Sequence, residues 1–131
     1  HSDAPDRAAV FADSVKPIAD AGKADLVASD ARLTDEITLI PTPGHSPGHM
    51  SVHIRSDGED ALLTGDAAHH PCQMAHLDWS STADSDPEQS AVSRRELFSR
   101  FADTPTLVIG GHFNAGHIRR EGDSFKFIAL G

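Results

Sequence analysis

Only one cysteine, Cys72, occurs in the 131 residues. An internal disulfide framework is therefore impossible, and cysteine-rich zinc sites are excluded. Nothing near Cys72 in sequence would lower its pKa, so it is expected to be an inert, buried thiol. Positive charge is also scarce: 11 Lys and Arg face 20 Asp and Glu, a net charge of −9, and no stretch concentrates the basic residues. A phosphate-backbone partner needs a basic face, so no nucleic-acid partner is expected. The apolar stretches are too short to cross a bilayer, so no membrane partner is expected either. No signal peptide is visible, and the expected location is cytoplasmic. Tyrosine is absent altogether. The chain starts at His1 without Met, as a processed, tagged or excised chain would.

What is present suffices for one domain with a real core. Residues Asp3 to Ala21 have helical spacing of Val10, Phe11, Val15 and Ile18, with a break or bend expected at Pro17. Asp25 to Asp30 suits a short strand. Strand patterns follow at Glu36–Ile40, Met50–Ile54 and Ala61–Leu63, the last two joined by the hairpin turn Ser56-Asp57-Gly58-Glu59. From His69 to Asp86 the pattern dissolves into a long loop, a common place for function. Asp86 as N-cap, Pro87 at the first turn and Gln89 at the third position predict a helix whose apolar face is Ala91, Leu97, Phe98 and Phe101. Thr106 to Ile109 predicts a buried strand. Ile118–Arg120 and Phe125–Ile128, linked by Glu121-Gly122-Asp123, predict a terminal hairpin.

The chemistry concentrates where strand patterns end. Pro41-Thr42-Pro43-Gly44-His45-Ser46-Pro47-Gly48-His49 is a run of turn-formers carrying two imidazoles between two strands. Thr64-Gly65-Asp66 ends a second apolar run in a carboxylate, and Gly110-Gly111-His112 ends a third in a histidine. Gly44-His45-Ser46-Pro47-Gly48 formally matches a serine nucleophile elbow. That match fails because the residue after the serine must donate an N–H to the oxyanion, and Pro47 has none. Asp84, Asp86 and Glu88 alternate like calcium ligands, but Gln89 stands where the turn glycine belongs and Arg95 where the bidentate glutamate belongs. Imidazole and carboxylate together suit Zn, Fe, Mn or Co. The spacing of His45, Asp66 and His112 carries no local signature, so this triad requires convergence in space.

Taken in order, Thr42–His49, Thr64-Gly65-Asp66 and Gly110-Gly111-His112-Phe113 resemble the second half of a metallo-β-lactamase-fold hydrolase. The branch is that of quorum-quenching lactonases and methyl-parathion-hydrolase-like enzymes, and Gly116-His117-Ile118-Arg119 with its hairpin is similar to the latter. The resemblance implies an α/β fold: half of an αββα sandwich, a mixed or antiparallel sheet with flanking helices. It implies that residues 1–131 are the C-terminal portion of such a domain. It assigns His45 to one metal, His112 to the other and Asp66 to both, with Asp66 at the centre of catalysis and His49 not a ligand. The implied cofactor is a divalent metal, zinc foremost, with two ions in the intact family site.

The family's H-x-H-x-D-H motif, which supplies most ligands from the first half of the fold, does not occur among these 131 residues. The expectation is weak metal binding and little catalysis by this chain alone, zinc normally taking three protein ligands even in open sites. In the intact family the reaction is hydrolysis of a small ester, lactone or phosphotriester by a metal-bridging hydroxide. Where family lactonases place a substrate-contacting tyrosine, this chain has His69. His69, His70, Met74 and Trp79 are candidate pocket residues. The plainer alternative makes His69 and His70 solvated and packs Trp79 over the core. Two other classes of function stand beside the enzyme. One is a non-catalytic half-domain that forms a homo-oligomer or joins a complementing N-terminal half through exposed sheet surface. The other is a metal-binding module drawing extra histidines from the 69–76 loop.

Overall fold

Asp57 and Gly58 both take positive φ, 52° and 83°, as a two-residue hairpin turn requires. They join β2 (Met50–Ser56) to β3 (Glu59–Leu63) in a computed structural model that describes residues 7–131. Before them, β1 (Ile37–Pro41) pairs antiparallel with β2, from Ile37 opposite Ile54 to Pro41 opposite Met50. After β3 the chain makes a 3-10 turn (Gly65–Ala67), the short α3 (Cys72–Ala75) and the long α4 (Pro87–Phe101). It returns as β4 (Leu107–Ile109), parallel to β3. A closing hairpin of β5 (Gly116–Glu121) and β6 (Ser124–Ala129) completes a six-stranded mixed sheet in chain order. This is the expected mixed α/β half-sandwich.

The helix expected at Pro87 forms as its sequence dictates. Asp86 accepts a hydrogen bond from the Gln89 N–H at 2.9 Å, and Pro87 occupies the first turn, an arrangement that satisfies one orphan donor and loses none. Leu97, Phe98 and Phe101 enter a core with Leu62, Val108, Ile118 and Phe125 from the sheet. Phe98 and Phe125 meet edge to face, centroids 6.0 Å apart, worth about 1 kcal/mol beyond area burial.

The opposite sheet face is different. Leu39, Val52, Leu63 and Ile109 are paired successively across β1 to β4, with Ile37, Ile54, Ala61 and Leu107 in the next row. None of these eight is buried, whereas the alternate residues Ser51, His53, Leu62 and Val108 are. Strand pleating puts the two sets on opposite faces. One face thus lies under α4, and the other is an apolar surface that no described residue covers fully.

Upstream, helical structure runs through α1 (Arg7–Val10), a π-helical turn (Phe11–Val15) and α2 (Lys16–Asp20). The expected helix is thus observed from Arg7; its residues 3–6 lie outside the described residues. The Lys16 N–H bonds back five residues to the Phe11 carbonyl. This widened turn absorbs Pro17, which cannot donate to the ladder. Val10, Phe11, Val15 and Ile18 are about half exposed. The strand expected at Asp25–Asp30 does not form. Leu26 is fully exposed, and the nearest pairing is a single bridge between Arg32 and Thr38; strand propensity without a neighbouring strand stabilises nothing.

Candidate metal centre

The parallel pairing of Leu63 with Ile109 sets β3 and β4 to end side by side. Asp66 and His112 each follow three residues later, so both emerge at the same sheet edge. The Thr42–His49 turn between β1 and β2 reaches that edge from the other side, closed by the Thr42 N–H donating to the His49 carbonyl at 3.0 Å. Gly44 is required there. A Cβ at Gly44 would lie 2.3 Å from the Ser90 backbone nitrogen, because α4 is docked on the turn through Ser93 Oγ donating to the Pro43 carbonyl at 2.6 Å.

His45, Asp66 and His112, far apart in sequence, do converge. Asp66 Oδ2 lies 3.3 Å from His45 Nε2, and its Oδ1 lies 2.9 Å from His112 Nε2. One carboxylate therefore spans two imidazoles, one oxygen to each. His49 takes a different place. Its Nε2 accepts the Asp66 backbone N–H at 2.9 Å, while its Nδ1 lies 2.8 Å from Thr42 Oγ1 and 3.2 Å from the Thr42 carbonyl. With Nε2 accepting, Nδ1 carries the proton. Burial pushes the His49 pKa below the usual histidine value, against the raising effects of the Thr42 backbone and Asp66. Both nitrogens are engaged, so His49 orients the turn bearing Asp66.

Asp84 and Arg94 are parts of the site that sequence reasoning missed. Asp84 Oδ1 lies 3.1 Å from His45 Nδ1, and its Oδ2 accepts the Ser81 N–H at 3.1 Å. Arg94 Nη1 stands 3.6 Å from Asp84 Oδ2, and both side chains are fully buried. The same guanidinium donates to the carbonyls of Leu77 at 3.1 Å, Trp79 at 2.9 Å and Ala67 at 3.4 Å. Burial lowers the Arg94 pKa, and Asp84 opposes that shift.

The four candidate pocket residues separate. The His69 ring sits between His45 and His112, with centroids 5.1 Å and 5.0 Å away, and stacks on the latter. Its Nδ1 is buried without a hydrogen-bond partner. Burial lowers its pKa, with Asp84 and Asp66 pulling the other way. His69 is therefore not a solvated loop residue, whereas His70 is exposed. Trp79 is 53% exposed and stacks on His76, centroids 4.0 Å apart, rather than covering the core. Met74 is fully buried in the core. A shallow concavity is lined by His69, His70, Cys72, Gln73, Trp79, Ser80 and Ser81. Cys72 is half-buried instead of buried, since it opens α3 at that rim.

The donor set suits a divalent ion. Ligand atoms of His45, Asp66 and His69 all lie within 4.8 Å of one another. Neighbouring ligands of a tetrahedral zinc stand about 3.3 Å apart, matching the 3.3 Å between His45 Nε2 and Asp66 Oδ2. The unpartnered Nδ1 of His69 is a further polar atom that a bound species would satisfy. Among the described residues, no helix is long and apolar enough to cross a membrane.

A family model described as the metallo-beta-lactamase superfamily matches residues 3–112. Solved structures share the fold. One is the hydrolase AbOPH of the beta-lactamase superfamily, at TM-score 0.80 and 22% identity, over 89% of this chain and 42% of that one. Another is AidC, a dizinc quorum-quenching lactonase in complex with a product, at TM-score 0.77 and 23% identity, over 85% of this chain and 39% of that one. An AiiA variant from B. thuringiensis with N-decanoyl-L-homoserine at its active site aligns at TM-score 0.58 and 28% identity, over 67% of this chain and 35% of that one. The chain thus spans about two fifths of the length of the solved structures it matches. No curated protein matches.

Proposed function

The chain belongs to the metallo-beta-lactamase superfamily, and from that membership we propose that it carries the second-half ligands of a divalent-metal hydrolase. Its substrate class is a small ester, lactone or phosphotriester. The observation that carries this reading is the single Asp66 carboxylate set between His45 at 3.3 Å and His112 at 2.9 Å. His45 and one oxygen of Asp66 would hold one ion, and His112 with the other oxygen would hold a second. Zinc is the proposed metal, in keeping with the borderline donor set. A bound ion would supply Lewis acidity and lower the pKa of nearby water.

The chain's own residues do the remaining work. Asp66 is the proposed catalytic carboxylate. His49 fixes its backbone. His69, kept neutral by burial, retains an N–H that can donate to a substrate oxygen, the role that the family's tyrosine would otherwise fill. His70 and Trp79 border the concavity beside it. Even counting His69 with His45, Asp66 and His112, three imidazoles and one shared carboxylate are a thin set for two ions, so metal affinity and turnover by these 131 residues alone are expected to be low. A cytoplasmic setting is part of the proposal; a single thiol asks for no oxidising compartment.

The test is elemental analysis of the purified chain, followed by hydrolysis assays on an aryl ester, a lactone and a phosphotriester with added zinc. Zinc-dependent turnover, weak but abolished in Asp66→Ala, is the expected result. Two ions held tightly per chain would contradict the half-site argument, and zinc uptake unchanged in Asp66→Ala would refute the ligand assignment.

A second reading has its own observation. The open sheet face bearing Leu39, Val52, Leu63 and Ile109 is the kind of surface that recruits another protein layer. On this reading the chain works by assembly, as a homo-oligomer or with a complementing first half. A monomer at all concentrations by light scattering, with no binding of a hydrophobic dye, would reject it.

A further inference from the structure

The geometry points to Asp84 and Arg94 as a positioning pair that fixes the tautomer and orientation of His45 and ties the 77–84 loop to the site. His45 has two neighbours on opposite sides of its ring. Nε2 faces Asp66 at 3.3 Å, and Nδ1 faces Asp84 at 3.1 Å. A histidine that is to offer Nε2 as a donor atom must carry its proton on Nδ1, and the hydrogen bond to the Asp84 carboxylate, shorter than the approach of Asp66 to Nε2, favours that choice. Asp84 is itself held. Its second oxygen accepts the Ser81 N–H at 3.1 Å and faces Arg94 at 3.6 Å. Arg94 is anchored in turn by the carbonyls of Leu77 and Trp79.

Beyond the carbonyls of Leu77, Trp79 and Ala67 that Arg94 ties together, the pair brings a carboxylate to His45. Both side chains are fully buried, and a buried ion pair is weak evidence for stability because desolvation offsets the attraction. What the pair does achieve is to hold a carboxylate oxygen 3.1 Å from His45 Nδ1. The loop also closes on the turn by backbone, the Ser85 N–H donating to the His45 carbonyl at 3.1 Å and the Asp86 N–H to the Gly44 carbonyl at 2.9 Å. The loop is therefore tied to the turn bearing His45 by backbone as well as by side chain.

The metal half of this inference rests on the divalent-metal reading above; the tautomer half does not. Two measurements separate them. In metal-free protein labelled with 15N-histidine at about pH 9, well above the ordinary histidine range, long-range 1H–15N spectra should show His45 protonated on Nδ1. Asp84→Asn should shift it toward the Nε2–H form. Because Asp84→Asn leaves a buried guanidinium unpaired and can unfold the chain, Asp84→Asn/Arg94→Gln serves as a neutral second variant, and Asp84→Glu as the conservative rescue. Co2+ affinity should fall about 10- to 100-fold in the neutral double variant and recover in part with Glu. An Nε2–H tautomer for His45 in the wild type overturns the proposal outright. So does a folded double variant with wild-type tautomer and Co2+ affinity within about twofold of wild type. A wild type with the Nδ1–H tautomer but no Co2+ uptake would leave the positioning pair standing and sink the metal reading.

Discussion

Replacing His49 separates its two hydrogen bonds, because its nitrogens serve different partners. Asn at this position places its amide near the Nδ1 site and keeps the Thr42 contact; Gln reaches the Nε2 site and can still accept the Asp66 N–H. The Asp66 backbone bond, 2.9 Å in the native protein, is the one that bears on the site. Losing it costs about 1 kcal/mol, near the low end for an abandoned donor because Asp66 is half-exposed. Removing the imidazole from contact with Gly65, where an added Cβ would lie only 2.8 Å from Nε2, costs about another 1 kcal/mol in lost packing. His49→Asn should therefore destabilise by about 2 kcal/mol, a fall in Tm of about 8 °C at about 4 °C per kcal/mol for a chain of this size. His49→Gln should fall by about half as much. Metal affinity should follow the same order, dropping about tenfold in Asn through displacement of the carboxylate. Thermal melting by circular dichroism on metal-free protein and a Co2+ titration read the two effects. The reasoning is wrong if Gln is damaged more than Asn, or if both melt within about 2 °C of wild type.

Acid should destabilise the chain through His49 and His69. Both have pKa values lowered from 6.5 by burial, so as pH falls through 6.5 the unfolded chain takes up protons that the folded chain does not. Tm is expected to fall below that pH and be flat above it from this pair, and a Tm that rises on acidification would contradict the assignment. Phe98→Ala removes the centre of the core and should cost about 3–5 kcal/mol, enough to unfold a domain of ordinary marginal stability; a cooperative melt near the wild-type Tm would refute that placement. Leu63→Lys, on the open sheet face, should leave Tm within about 2 °C while reducing dye binding and any self-association. A loss of fold instead would show that this face is covered.

The sequence announces features made by near neighbours. The Asp57-Gly58 turn, the Asp86 cap and the closing hairpin each depend on residues a few positions apart, and each forms as expected. The three strand-end groups were also legible, because a strand followed by turn-formers and a polar residue has a local signature. What was not legible depends on distance. Asp84 stands in an alternating acidic run that imitates a calcium loop; its role emerges only when Arg94 and His45 arrive beside it. Met74 sits in a four-residue helix too short for periodicity to tell core from pocket. Residues 25–30 have strand-like residues but no strand alongside, and pairing, not propensity, decides strands.

The parallel pairing of β3 and β4 has a kinetic consequence. β1, β2 and β3 can pair through local turns, and so can β5 and β6, but β4 reaches β3 only after the connection through the loop and α4 closes. Closing that loop is entropically the slow step. The contact between Asp66 and His112, 46 residues apart in the chain, cannot precede it. The site is thus assembled late and lost early when the crossover opens. An ion held there would leave the folding rate nearly unchanged and act by slowing unfolding, so the half-life of the folded chain would register the metal more sharply than its rate of formation.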